Sequence, residues 1–200
     1  MDKDKAKLAL GLDPDSFLVL WVGRLSRPQK DAFTVITAVK KIGLEGINVK
    51  LIIVGQGKDE KALREFADDR DNSIKSNISF KTDFIKHEDL QVYYNAADVF
   101  VLNSSHEGMP QVALEAMACK TPVILSDVPG NREIALDVGL IFPQSNLEIL
   151  TECIAKLIKN EPLRKSLGEK GYQKVIECYT WDRITRTIVE NIYRRLTDSR

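Results

Sequence analysis

Apolar residues in this chain fall into short unbroken runs, separated by stretches in which they recur every three or four positions. Phe17 to Val22 is one such run, closed by Gly23-Arg24-Leu25-Ser26. A run of strand length that is apolar on both faces predicts a strand buried inside a parallel sheet. After Lys30, the residues Phe33, Ile36, Val39 and Ile42 recur at helical spacing, and Gly43 and Gly46 are expected to end that helix. Val49 to Val54 repeats the buried strand, with Gly55-Gln56-Gly57 behind it and a charged helix from about Asp59 to Asp68. Ile78 to Phe80 reads as a short strand, Asp89 to Ala97 as a helix, and Val99 to Leu102 as a strand. A polar loop, a nearly all-apolar helix and a strand ending at Leu125 follow. Asp127-Val128-Pro129-Gly130 then turns into a short helix near Glu133, and Leu140 to Phe142 is a last short strand. Three or four helical patterns run from Leu147 to the end, through Ile154, Leu157 and Ile158 and finally Ile184, Ile188 and Ile192. At the other terminus a short helix ends at Gly11, and Asp13-Pro14-Asp15 makes a turn.

Strands alternating with helices of this length imply parallel pairing through right-handed crossovers. The expected class is α/β, a doubly wound parallel sheet with helices on both faces. Ligands of such sheets sit outside the carboxyl ends of the strands. The loops at Gly23, Gly55, Phe84, Ser104 to Pro110 and Asp127 to Gly130 are therefore expected to surround one crevice.

Composition narrows the partners. The 200 residues, 44% hydrophobic and without internal repeats, suit one domain, and 29 basic residues cancel 29 acidic ones. That balance removes the electrostatic case for nucleic acid and leaves a small molecule as the expected partner. Met1 precedes Asp-Lys-Asp-Lys, which is no signal sequence, and no apolar run is long enough to span a bilayer. Cys119, Cys153 and Cys178 are odd in number and lie in helical patterns, as reduced core residues of a cytoplasmic protein would.

The candidate chemistry centres on Val99 to Leu125. Its loop delivers Glu107 directly before Gly108-Met109-Pro110, with Pro110 suited to a first helical position. Backbone N–H groups at a helix start beyond a strand make an anion site. Glu115 lies among Val112, Ala113, Leu114, Ala116, Met117 and Ala118. It either forms a narrow solvated stripe with Gln111 or accepts hydrogen bonds from the hydroxyls of a ligand. Gly23-Arg24 and Lys30 place two cations at the mouth of the first strand, either to grip phosphate oxygens or as solvated surface charges. Gly55 and Gly57 allow a ligand's close approach or make a plain tight turn. His106, beside Glu107, is an acid, a base, a donor or a surface residue; with His87 it makes too sparse a set for a metal. The Asp13/Asp15 and Asp69/Asp71 pairs read as turn residues rather than metal ligands.

Laid out in order, Val22-Gly23-Arg24-Leu25-Ser26 with Lys30, Ile53-Val54-Gly55-Gln56-Gly57, Ala97-Asp98-Val99-Phe100-Val101-Leu102 and Glu107-Gly108-Met109-Pro110 to Glu115-Ala116-Met117-Ala118-Cys119 carry a resemblance. The chain resembles, over essentially its whole length, the C-terminal, Rossmann-like domain of the retaining GT-B glycosyltransferases of group 1, also numbered family four. Two glutamates separated by seven residues are that family's signature. The resemblance implies one domain over 1–200, with a linker remnant over 1–15, a C-terminal crossing helix over 181–200, and a preceding acceptor-binding domain that is absent.

It also implies roles. Glu115 binds the ribose of a nucleotide diphosphate sugar such as a UDP- or GDP-sugar, Glu107 faces the transferred hexose, and Arg24 and Lys30 neutralise the departing diphosphate. Gly23, His106, Gly108, Met109 and Pro110 complete the donor site, and Ile85 lies near the base. No cofactor and no metal is expected, and peripheral membrane association would arise only through the absent half. Met109-Pro110 stands where many members have Phe-Gly, and Lys120 where a glycine commonly closes the helix. The leading expectation is a hexosyltransferase domain, inactive without its other half. The competing ones are a nucleotide-sugar-binding module or split-enzyme subunit without chemistry, and another GT-B enzyme such as an epimerase or a phosphorylase.

Overall fold

A computed structural model of the chain describes residues 1–68 and 77–190. Six strands, β1 (Phe17–Val22), β2 (Val49–Val54), β3 (Ile78–Lys81), β4 (Val99–Leu102), β5 (Val123–Ser126) and β6 (Leu140–Phe142), form one sheet in the order β3-β2-β1-β4-β5-β6. Every pairing is parallel, with Phe17 opposite Val49 and Val19 opposite Val99. The continuous apolar runs have the cause expected of them. All six residues of β1 are buried, because β1 lies in mid-sheet with helices above and below. At the edge, β3 alternates half-buried Ile78 and Phe80 with exposed Ser79 and Lys81.

The helices are α1 (Lys3–Ala9), α2 (Ala32–Leu44), α3 (Glu60–Ala67), α4 (His87–Ala96), α5 (Gln111–Ala118), α6 (Pro129–Ala135), α7 (Leu147–Lys159), α8 (Glu161–Cys178) and α9 (Trp181–Ile188). The chain runs outward through α2 and α3 to β3, then returns past β1 through α4 and continues outward through α5 and α6. Right-handed crossovers in opposite directions place the two sets on opposite faces. The contacts agree: α2 packs on α3 and α7, whereas α4 packs on α1 and α5, and α5 on α8. The order thus reverses between β1 and β4, and the loops leaving those two strands flank the place where sheets of this kind bind their ligands.

Two local details differ from expectation, and a third shows how Lys120 stands in for a glycine. Gly43 lies inside α2, which is closed instead by Gly46 at φ +81. Pro110 caps α5 from outside: its ψ of 91 is extended, and its carbonyl accepts the Ala113 N–H at 3.0 Å. Lys120 takes the left-handed conformation that a glycine would have adopted easily, at φ 59. The Lys120 and Thr121 N–H groups then close α5 onto the carbonyls of Met117 and Ala116.

At the amino end of the sheet, α1 is fastened by a buried ion cluster. Asp98 accepts Lys3 Nζ at 3.0 Å on one oxygen, and the Leu18 N–H at 2.9 Å and Lys7 Nζ at 2.8 Å on the other. Lys7 is 3% exposed and also donates to the carbonyls of Ser16 and Pro14. Burial by itself would raise the Asp98 carboxyl; Lys3, the Leu18 N–H and Lys7 more than reverse that and hold it below the usual carboxylate range. Asp13 is the turn residue expected, accepting the Asp15 N–H at 3.0 Å. Asp69, Asp71 and Ile192 lie outside the described residues. Among the described residues no helix is long and apolar enough to cross a membrane.

Candidate active site

The loops leaving β1 and β4 are zipped together across the reversal point. Lys30 and Ser104 form an antiparallel bridge, the Ser105 N–H donates to the Gln29 carbonyl and the Asp31 N–H to the Asn103 carbonyl, both at 2.9 Å. This carries the Lys30 ammonium to Glu107, at 3.1 Å from Oε1. Ser104 Oγ donates to the same oxygen at 2.8 Å. Both charged side chains are largely shielded, Lys30 at 15% exposure and Glu107 at 10%. Among the described residues the second oxygen of Glu107 has no partner.

Gly23 is required here for close approach. A Cβ at that position would stand 3.0 Å from Lys30 Cδ and 3.3 Å from the Trp21 ring, so the lysine stem passes where a side chain would be. Gly55, at φ +139, is needed for another reason: a Cβ there would overlap the Gly23 carbonyl oxygen. Its backbone is spent on packing against the β1 loop, which is the plain-turn alternative rather than ligand approach. From below, Ser126 Oγ accepts the Ser104 N–H and donates to the Ser104 carbonyl, and Asn131 Nδ2 donates to the Ser126 carbonyl at 2.9 Å. The Gly130 N–H reaches the Glu107 carbonyl at 3.2 Å. The Glu107 carboxylate is thus placed by three loops rather than one.

Glu115 sits in the second turn of α5, one turn beyond exposed Gln111, with its side chain 27% exposed. It is not without partners inside the chain. Tyr94 Oη donates to its Oε2 at 2.7 Å, and His87 Nδ1 lies 3.8 Å from its Oε1. Burial first, and the charge of Glu115 second, push the Tyr94 phenol well above its ordinary value, so it stays a donor.

The remaining expected residues lie around this centre without touching it. Arg24 is exposed, and its guanidinium makes no ion pair or hydrogen bond among the described residues. His106 and Gly108 are exposed, Met109 is 49% exposed, and Pro110 is buried. Ile85 packs half-buried against the core while neighbouring Phe84 is 86% exposed. Among the described residues no three His, Cys, Asp or Glu side chains group as a metal site would need. A cavity of about 1010 Å³ lies at the opposite end of the sheet, its lining including Lys3, Lys7, Asp98, Arg164 and Lys165. These cations already have partners inside the chain: buried Lys7 and half-buried Lys3 on Asp98, half-buried Arg164 on the Leu157 carbonyl, and exposed Lys165 on Glu161 at 2.7 Å. At the carboxyl ends, by contrast, the shielded Glu107 keeps one oxygen without a partner among the described residues.

Comparison with known proteins gives the family. The model of the family "Glycosyl transferases group 1" matches residues 2–174. The chain belongs to that family. It is 31% identical over 197 residues to an uncharacterised glycosyltransferase, MJ1607, of Methanocaldococcus jannaschii, covering 96% of this chain and 48% of that protein. The C-terminal domain of a glycosyl transferase group 1 family protein, LpcC, from Francisella tularensis superposes with a TM-score of 0.80 at 22% identity, over 90% of this chain and 94% of that one. Alr3699/HepE of Anabaena, solved with UDP and glucose, gives a TM-score of 0.79 at 20% identity, over 95% of this chain and 52% of that one. The chain spans about half the length of the curated relatives it matches, and its fold resembles a C-terminal half.

Two polar partners in this group 1 chain escaped the sequence reading. Tyr94 and His87 stand seven apart on α4, two helical turns, and both reach Glu115 on the neighbouring helix. The signal was indirect, since a carboxylate on an apolar helix needs a donor; nothing in the spacing of Tyr94 and Glu115 identified that donor. Ser104 likewise carried no signal apart from lying in the loop.

Proposed function

We propose that the carboxyl-end crevice binds a nucleoside diphosphate sugar and that, with a second half holding the acceptor, the hexosyl unit is transferred with retained configuration. The observation that carries this reading is Glu107, held by Lys30 and Ser104 at the reversal point with its second oxygen unpartnered. In this reading Glu107 faces the transferred sugar, flanked by His106, Gly108 and Met109. Lys30 shifts from Glu107 toward the diphosphate as the glycosidic bond to phosphate breaks and its electron pair leaves with the phosphate oxygen. Arg24, exposed and unpaired among the described residues, adds a second cation, and the backbone N–H groups beyond Pro110 add the positive end of α5. These groups do the work of a metal, and none is called for. Glu115 accepts from the ribose hydroxyls, and Ile85 lies toward the base. The UDP and glucose carried by the Anabaena protein of the same fold support a nucleotide sugar as the ligand class.

Supplying an acceptor-binding half of a group 1 enzyme to the chain and to its Glu107→Ala variant tests this. The variant is expected to lose about 100-fold in kcat/KM while nucleotide affinity changes little, because the interaction is realised mainly during transfer. A module without chemistry would show no turnover to lose. Transfer by the unsupplemented chain would contradict the need for a second half.

A further inference from the structure

Glu115 is not an isolated carboxylate awaiting a ligand, because one of its oxygens is already committed. Tyr94 is 2% exposed and fixed at three points. Its ring packs against Phe100 at a centroid distance of 6.1 Å, its carbonyl accepts Thr121 Oγ1 at 2.7 Å, and its hydroxyl donates to Glu115 Oε2 at 2.7 Å. The ring and backbone are therefore locked from the β4 and β5 side, and the phenol presents a donor to α5 at one place. The other oxygen, Oε1, has no hydrogen bond among the described residues; His87 Nδ1, the nearest cationic candidate, is 3.8 Å away on a side chain 77% exposed.

We infer that Tyr94 is a positioning residue: it pins the Glu115 carboxylate so that the remaining oxygen is presented, as an acceptor, to the vicinal hydroxyls of a bound nucleoside. The inference rests on the reading of Glu115 as the ribose contact. The chemistry is specific. A glutamate that is partly exposed on a helix samples several rotamers, and ordering it on ligand binding opposes affinity. A tyrosine that is itself immobile does the ordering in advance. Because the phenol hydrogen is given to Oε2, Oε1 is left as the acceptor, and a ligand presenting hydroxyl donors at that place satisfies it. The alternative role of the same hydrogen bond is a simple tie between α4 and α5, and the two roles separate experimentally.

Tyr94→Phe retains the ring against Phe100 and removes only the donor. Calorimetric titration of the chain with UDP, GDP and ADP and with their 2′,3′-dideoxy counterparts reads the effect. For the nucleotide that binds, Tyr94→Phe is expected to weaken the ribose form by about tenfold, the size of one net hydrogen bond, and to leave the dideoxy form unchanged. Glu115→Ala is expected to show the same selectivity, and Tyr94→Phe added to Glu115→Ala to weaken binding no further. Equal weakening of both sugar forms, or an additive double variant, would make Tyr94 a structural tie and overturn the inference. If Glu115→Ala discriminates ribose from dideoxyribose and Tyr94→Phe does not, Tyr94 loses its role and Glu115 keeps its own. If Glu115→Ala does not discriminate, or no nucleotide binds, the ribose reading falls and this inference falls with it.

Discussion

Each end of the sheet holds a lysine against a carboxylate, and the two pairs are built to opposite specifications. At the amino end, Asp98 receives three donors on two oxygens, from Lys3, Lys7 and the Leu18 N–H, and Lys7 gives its remaining protons to two carbonyls. At the carboxyl end, Glu107 receives Lys30 and Ser104 on one oxygen only, and Glu115 receives Tyr94 on one oxygen only. The first cluster is saturated by the chain and ties α1 to β1 and β4. The other two are half-saturated, positioned by rigid partners, and retain acceptor capacity on the crevice side of the fold. A buried pair that lacks nothing is structural; a shielded carboxylate with one oxygen left over has a reason to meet something else. The difference also explains why the cavity at the amino end is the poorer candidate.

Breaking the saturated cluster has the largest expected effect. Asp98→Ala leaves Lys7 buried and unpaired and is expected to cost about 3–5 kcal/mol in urea unfolding, while nucleotide affinity of the folded fraction stays unchanged. The same group sets an acid limit. Its folded carboxyl titrates below its unfolded value, so its contribution is present above about pH 4 and is lost as pH falls through the lowered folded value. Unfolding free energies measured from pH 5 downward should therefore fall less steeply in Asp98→Asn than in the native chain.

At the other end function suffers more than stability. Glu107→Gln keeps an amide oxygen for Lys30 and Ser104 and is expected to cost about 1–3 kcal/mol in urea unfolding, less than the Asp98 change, yet to remove most turnover once an acceptor half is present. Lys30→Met is expected to weaken a nucleoside diphosphate by about tenfold relative to the bare nucleoside, which titration of both ligands would show. The smallest change is Lys3→Ala. Lys3 is 41% exposed and Asp98 keeps two other donors, so a loss under about 1 kcal/mol is expected in thermal unfolding. A large loss there would erase the contrast between the two ends.

The order of elements was legible because parallel strands covered on both faces are nearly continuous apolar runs: β1 and β4 are unbroken, β2 is interrupted only by half-buried Lys50, and β5 is apolar up to its last residue, Ser126. Glu107, Lys30 and Glu115 stood out individually as charged groups at strand ends or on an apolar helix. Their partners did not. Lys30 meets Glu107 only because the strand order reverses between β1 and β4, a fact of topology rather than of local pattern. Tyr94 lies between half-buried Tyr93 and Asn95 in a helix of mixed character, and its hydroxyl's target is on another helix. Lys7 sits in a stretch where charges alternate with aliphatics, which gives no sign that one lysine is buried. Pro110 fits both the first helical position and the cap, since its φ of −75 serves either, and only the extended ψ separates them.

The carboxyl-end crevice as a donor site is tested most directly by calorimetric titration of the chain with UDP-, GDP- and ADP-sugars without added metal, repeated with Glu115→Ala. Binding of one nucleotide sugar, weakened at least about tenfold by the variant, is the expected result. Binding that Glu115→Ala leaves untouched, or no binding by any of the three, would contradict the assignment and return the unpartnered oxygens of Glu107 and Glu115 to the status of structural residues.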